Sequence, residues 1–265
     1  MNFSPFAGST VLITGASSGI GAAFAEALAP SGATLVLTAR NPARLAAAAA
    51  TARAAGALVD TVEADLALPG GVAGLVHELA ARGHVVDHLI NNAGIGLVGR
   101  GHEAPLAGQL RVVDIDVRVP TELALRLLPQ MVARGRGGLL NVASIAAFQG
   151  LPWLSTYAGS KAYLLAWSES LHHELRGTGV RCTALCPGPV ATGWFAEAHL
   201  ERPPGWPFLQ SPAAAVRAGL RGYLAGRSHV FSGPFAAASA WLTRAVPRAV
   251  ATAVATGFAR PRRGR

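Results

Sequence analysis

Cysteine is nearly absent from this chain of 265 residues: Cys182 and Cys186 are the only two, four apart in one apolar segment. That argues against a disulfide scaffold, and two cysteines without neighbouring histidines make a poor metal site. Both read as buried small hydrophobes. The eight histidines form no spaced ligand constellation, and His172-His173 reads as the exposed side of a helix, so no metal is expected. Long hydrophobic runs are lacking too. The closest approach to a membrane span, 231–241, is too short for an ordinary crossing. Residues 1–9 lack the basic start of a secretory signal, so a cytoplasmic location is the expectation. Acidic residues are scarce, 14 against 23 Lys and Arg, which leaves a formal net charge of +9. Much of the excess lies at the end, in Arg244, Arg248, Arg260, Arg262, Arg263 and Arg265. Such a basic appendage suits contact with an anionic partner better than it suits a body built to bind nucleic acid, and no stacking platform accompanies the charges. No nucleic-acid partner is expected.

What is present is apolar sequence in short, regular pieces. Hydrophobic residues make up 51% of the chain, with 31 Gly and 17 Pro spread among them. A chain of this length can bury roughly three quarters of its extended surface in one domain. Short apolar runs at 10–14, 34–38, 58–62, 86–90, 138–142 and 180–185 read as strands. Helical patterns separate them at 20–28, 44–55, 70–82, 106–128 (ending near Pro129) and 155–176. Strands alternating with helices of ten or more residues are the mark of βαβ units around a parallel sheet. The expected fold is α/β: a Rossmann-like, doubly wound parallel sheet with helices on both faces. Pro203, Pro204 and Pro207 interrupt 192–210, which reads as a helical lid over a substrate. Helices at 212–224 and 235–246 flank a last short strand at Val230-Phe231. Residues 1–230 are expected to be the catalytic domain, lid included, and 231–265 a basic, amphipathic helical extension of it.

The run Gly15-Ala16-Ser17-Ser18-Gly19-Ile20-Gly21 follows a strand and opens a helix. Glycines there let the backbone turn tightly and approach a pyrophosphate at the helix N-terminus. The spacing is Gly-x-x-x-Gly-x-Gly, unlike the general Gly-x-Gly-x-x-Gly fingerprint. The second strand ends at Ala39-Arg40, without the carboxylate that favours NAD and with an arginine suited to a 2′-phosphate, so NADP(H) is the expected cofactor. Asp65, after the third strand, suits either the adenine edge or a helix N-cap. Tyr157 and Lys161 lie four apart and share a helix face. The ammonium is expected to favour the phenolate and lower the phenol pKa, making Tyr157 a general acid/base. Ser144 follows the fifth strand, where it can orient a substrate oxygen.

In order and spacing these motifs resemble the short-chain dehydrogenase/reductase (SDR) family over about residues 10–192. The resemblance adds Asn92, Ala93 and Gly94, with Asn91 before them, as the segment closing the fourth strand against the cofactor. It adds Pro187, Gly188, Val190 and Thr192 beside the nicotinamide. Ser144, Tyr157 and Lys161 match the family's catalytic residues, and Lys161 is implied to bind the nicotinamide ribose as well. Asp116 stands where the family commonly has an asparagine that kinks a helix and holds a relay water. An ionised carboxylate cannot donate as an amide does, so the relay is modified or Asp116 is held protonated.

Ile95, Ile145, Leu151, Trp153, Pro189, Trp194 and Phe195 are the expected walls of the substrate pocket, which suits a hydrophobic alcohol, ketone or aldehyde. The tail pairs Phe235, Trp241, Leu242, Val246, Val250, Val254 and Phe258 with arginines. That pattern fits either packing within or between subunits or peripheral contact with an anionic membrane. The resemblance implies a homodimer or homotetramer. The function expected is NADP(H)-dependent hydride transfer; the alternative is a non-catalytic NADP(H)-binding regulatory protein, supported only by Asp116.

Overall fold

Val11 and Ile13 of the first strand face one layer of helices, and Leu12 between them faces the other. A strand buried on both sides in this way belongs to a parallel sheet covered by helices on both faces. The computed structural model describes residues 4–200 and 209–259. Its first half runs β1 (Thr10–Thr14), α1 (Gly19–Leu28), β2 (Thr34–Ala39), α2 (Pro42–Ala54), β3 (Leu58–Glu63), α3 (Gly71–Ala81) and β4 (His88–Asn91). There follow α4 (Leu106–Val113), α5 (Val119–Arg134), β5 (Gly137–Val142), α6 (Ser155–Glu174) and β6 (Val180–Pro187). The last elements are α7 (Trp194–Glu197), α8 (Pro212–Leu224), β7 (His229–Ser232), α9 (Pro234–Ala245) and α10 (Arg248–Ala259).

The seven strands form one parallel sheet in the order β3-β2-β1-β4-β5-β6-β7. Leu45 of α2 and Leu220 of α8 join the core on one face with Phe24 of α1; Leu75 of α3, Leu123 of α5 and Leu171 of α6 join it on the other. The doubly wound α/β architecture expected from the alternating pattern is the one observed. Beneath the sheet, Asn91 Nδ2 donates to Asn141 Oδ1 (2.9 Å) and Asn141 Nδ2 to Ser168 Oγ (2.8 Å). This buried chain ties β4 and β5 to α6 and so registers the catalytic helix against the strand ends.

Three expectations change. The single helix expected at 106–128 is interrupted by a π-helical turn, Asp114–Arg118, which separates α4 from α5. Pro129 does not end it: α5 continues to Arg134. Proline lacks the N–H that would bond the Leu125 carbonyl, and Leu125 lies on the exposed side of the helix. His172 is half-buried, its Nδ1 3.0 Å from the Cys182 carbonyl oxygen, and only His173 is exposed. Cys182 and Cys186 are both buried and unpaired, and burial pushes each thiol up to about 12. Residues 201–208 of the expected lid lie outside the described residues, as do Arg260, Arg262, Arg263 and Arg265. Among the described residues no group of His, Cys, Asp and Glu could hold a metal, and no helix is long and apolar enough to cross a membrane.

Candidate active site

The loops that carry the chemistry leave the carboxyl ends of the strands. They converge where the strand order reverses between β1 and β4, the crevice that open α/β sheets use for ligands. A cavity of about 900 Å³ lies there. Its first wall is the turn from β1 into α1, where Gly15 and Gly19 take φ of 63° and 56°. Both values disfavour a side chain. A Cβ on Gly15 would also stand 2.9 Å from Ala93 Cα, and one on Gly21 would overlap the Gly15 carbonyl. Asn92 braces the turn through Nδ2, which donates to the carbonyls of Thr14 and Gly15 at 2.9 and 3.1 Å. Gly15, Ser17, Ser18, Gly19, Ile20, Asn92, Ala93 and Gly94 line the cavity, whereas Gly21 supports the turn from behind. A bare backbone at a helix N-terminus fits a pyrophosphate.

Arg40 lines the far edge of this half, with Asn41 and Arg44 beside it. Arg44 Nη1 lies 3.4 Å from Glu197 Oε1 in an exposed pair across the groove. Asp65 also lines the cavity, accepting from the Ala67 N–H (3.1 Å) and from Arg111 (2.7 Å). It caps its own turn and not α3, which begins six residues later at Gly71. Burial works against its ionised form, but the Arg111 and Ala67 hydrogen bonds outweigh that and hold its pKa below the ordinary carboxylate value.

Ser144, Tyr157 and Lys161 meet at the inner end. Ser144 stands near enough to Tyr157 to favour its phenolate, and its Oγ accepts the Ala146 N–H at 3.1 Å. Lys161 Nζ sits 5.6 Å from the Tyr157 ring centroid and donates to the Val142 carbonyl at 3.2 Å. Trp194 covers the phenol, ring centroids 4.9 Å apart. Asp116 lies outside the cavity wall, behind Lys161. The π-helical turn carries it inward, where Oδ1 accepts the Ile95 N–H at 2.8 Å and Oδ2 lies 3.1 Å from Lys161 Nζ, both side chains buried. Gly94 leaves room for the pair, since a Cβ there would stand 3.1 Å from Nζ.

Burial corrects the expected fall of the Tyr157 pKa. It pushes the phenol above its ordinary value; the Lys161 ammonium and Ser144 offset only part of that rise, and the Asp116 charge adds a smaller one. Burial alone would lower the Lys161 pKa, yet the Asp116 carboxylate and Tyr157 raise it overall, so the ammonium persists.

A model of the short chain dehydrogenase family matches residues 9–202. The chain belongs to the short-chain dehydrogenase family. It is 36% identical over 197 residues to the ketoacyl reductase HetN of Nostoc sp., covering 74% of this chain and 69% of that protein. It is 35% identical over 221 residues to an uncharacterized oxidoreductase of Myxococcus xanthus, covering 83% and 86%. A short-chain dehydrogenase from Sphingobium yanoikuyae, solved in complex with NADPH, superposes with a TM-score of 0.80 at 32% identity, covering 89% of this chain and 92% of that one.

In this short-chain dehydrogenase Pro187, Gly188, Val190 and Thr192 line the cavity between its cofactor and substrate halves. Of the expected substrate walls, Ile95, Ile145, Leu151, Pro189, Trp194 and Phe195 line it and Trp153 does not. Trp153 sits in a left-handed turn (φ 65°) whose carbonyl accepts the Gly99 N–H, and its neighbours Leu151 and Leu154 supply the wall. Sequence reasoning missed Arg44, Gln149 and Leu200; α9 and α10 also form part of the wall. Thr38 Oγ1 and Gln149 Oε1 are buried in residues of the cavity wall without a hydrogen-bond partner. Buried polar atoms rarely stay unpaired, and ligand groups in the cavity are natural partners for them.

Proposed function

We propose that this chain is a cytoplasmic NADP(H)-dependent oxidoreductase that interconverts a hydrophobic ketone or aldehyde and its alcohol, with Tyr157 as the general acid/base. The observation that carries the reading is the meeting of Ser144, Tyr157 and Lys161 in one cavity with the glycine cradle. The bare glycine turn fits a dinucleotide pyrophosphate, and Arg40 suits a 2′-phosphate. The NADPH held by the relative from Sphingobium supports the same cofactor. Residues 1–230 carry this chemistry, and 231–265 extend the same domain over the substrate.

When bound, the nicotinamide supplies or accepts the hydride. Ser144 Oγ donates a hydrogen bond to the substrate carbonyl oxygen and orients it. Tyr157 Oη then gives its proton to that oxygen as negative charge develops there, and the Lys161 ammonium steadies the phenolate left behind. In alcohol oxidation the phenolate takes the hydroxyl proton instead. Asp116 lies outside the cavity wall and acts as a positioning residue that fixes Lys161 and the Ile95 backbone.

An NADPH and NADH oxidation screen over apolar ketones and aldehydes tests the reading. NADPH is expected to be consumed in preference to NADH, and a panel on which neither is oxidised overturns the proposal. Charge-assisted hydrogen bonds contribute about 1.5–3 kcal/mol, so Arg40→Ala is expected to reduce the NADPH preference about 10- to 100-fold.

Two assembly features belong to the same reading. Exposed Leu106, Leu110, Leu125 and Tyr163 on α4, α5 and α6 support a homo-oligomer built through those helices. Exposed Trp241 and Leu242, beside Arg244 and Arg248, support peripheral contact with anionic lipid. Full-length protein is expected to float with anionic liposomes and a chain ending at Ala245 to do so less; no flotation of the full-length protein rules the membrane contact out, and equal flotation of the two rules out the residues beyond Ala245 as its carrier.

A further inference from the structure

The tail arginines drew attention to charge, but the helices before them wall the cavity with hydrocarbon. Leu242 of α9, Val246 just beyond its end, and Val250 and Val254 of α10 line the cavity together with Leu151 and Phe195. The spacing of four keeps Val250 and Val254 on one face of α10. Ala251 and Ala255 of α10 are buried, and a Cβ on Gly150 would stand 3.2 Å from Thr252 Oγ1. The helix is therefore seated on the loop that follows Ser144. Leu242, Val250 and Val254 line the cavity and are still 65%, 50% and 61% exposed. Side chains in both classes mark the rim of a pocket whose apolar wall reaches solvent. The charged side chains of the lining are Arg40, Arg44, Asp65, Lys161 and Glu197, and none lies in 235–255.

We infer that α9 and α10 select the substrate: it is a carbonyl compound with an extended, uncharged hydrocarbon body, whose far end lies against Val250 and Val254. The inference rests on the redox reading above and names its substrate class. A charged or polyhydroxylated body would meet only the Ser239 and Thr243 hydroxyls among the side chains of this wall in return for its lost hydration. A hydrocarbon body gains by covering a rim that is otherwise wet.

The test is a homologous series of straight-chain methyl ketones from butanone upward, read as kcat/KM with NADPH. Burying one methylene is expected to raise kcat/KM about fourfold, until the chain passes α10 and the rise levels off. Ending the chain at Ala245 makes the rise level off at shorter ketones. A Val250→Asn, Val254→Asn double variant changes half-exposed positions, and its melting temperature shows whether the fold is kept. It is expected to lower the ratio of long- to short-ketone kcat/KM at least tenfold. Calorimetric Kd values for the same ketones on the NADP-loaded protein read the same slope without turnover. Slopes that are flat with chain length, or unchanged in both variants, overturn the inference. Chain-length-dependent binding without NADPH consumption overturns the redox reading instead and leaves the apolar wall in place.

Discussion

Tyr157→Phe is expected to lower kcat for carbonyl reduction by about 10²- to 10⁴-fold, the usual contribution of a positioned general acid. The ring remains to pack under Trp194, so neither the cavity nor the helix is disturbed. NADPH binding should weaken by no more than about tenfold, the value of one hydrogen bond. Stopped-flow hydride transfer and cofactor titration separate the two quantities. A variant that keeps wild-type single-turnover rates removes Tyr157 from the mechanism. The pH dependence gives a second check. The Tyr157 pKa is raised by burial, so the phenol keeps its proton through the neutral range and above it. Reduction, which needs the acid form, should stay level there and fall only at alkaline pH. Oxidation of the alcohol, which needs the phenolate, should climb over that same alkaline range. A reduction rate that already falls around neutrality contradicts this assignment.

How much of the site could be read in advance depended on how local each feature is. The Gly15–Gly21 turn was legible because one short segment imposes its own backbone shape, with φ values and close approaches that only glycine meets. Tyr157 and Lys161 were legible because helix geometry brings them together without help. The Arg111 pair that occupies Asp65 was not, since it joins residues 46 apart across a crevice. The direction of the Tyr157 pKa was misjudged for the same reason. The Lys161 neighbour was visible in the sequence, while the burial of the phenol was not, and neither was the smaller effect of Asp116, which reaches Lys161 from a π-helical turn. Pro129 read as a helix end because its missing N–H is a local fact, whereas the exposure of Leu125 is not. In the tail the apolar residues Leu242, Val246, Val250 and Val254 were plain. Their pattern reveals apolar side chains without saying what they cover, and here they line the cavity.

Removing the Asp116 carboxylate tests the buried pair that stands behind the acid/base residue. Asp116→Ala would leave a buried ammonium and the Ile95 N–H without their acceptor. Breaking one half of a buried pair costs about 3–5 kcal/mol. For a domain of this size that is a fall in melting temperature of roughly 6–20 °C. Asp116→Asn keeps an oxygen for the Ile95 N–H, and the Val142 carbonyl still accepts from Lys161, so its loss should be smaller. Its signature is in the pH profile. The Asp116 charge raises the pKa of both Tyr157 and Lys161. With that charge gone and the ammonium retained, the phenolate forms at lower pH. The rise of alcohol oxidation and the fall of reduction should then both move to lower pH. Lys161 is the only lysine in the chain, so selective lysine labelling gives one resonance that reports its proton directly. A stable Asp116→Ala protein, or an Asp116→Asn enzyme with wild-type profiles and a protonated Lys161, would show that the carboxylate neither holds the lysine nor tunes the tyrosine. The opposite outcome makes Asp116 the group that keeps the ammonium in place while adding to the burial that leaves the phenol its proton for carbonyl reduction at neutral pH.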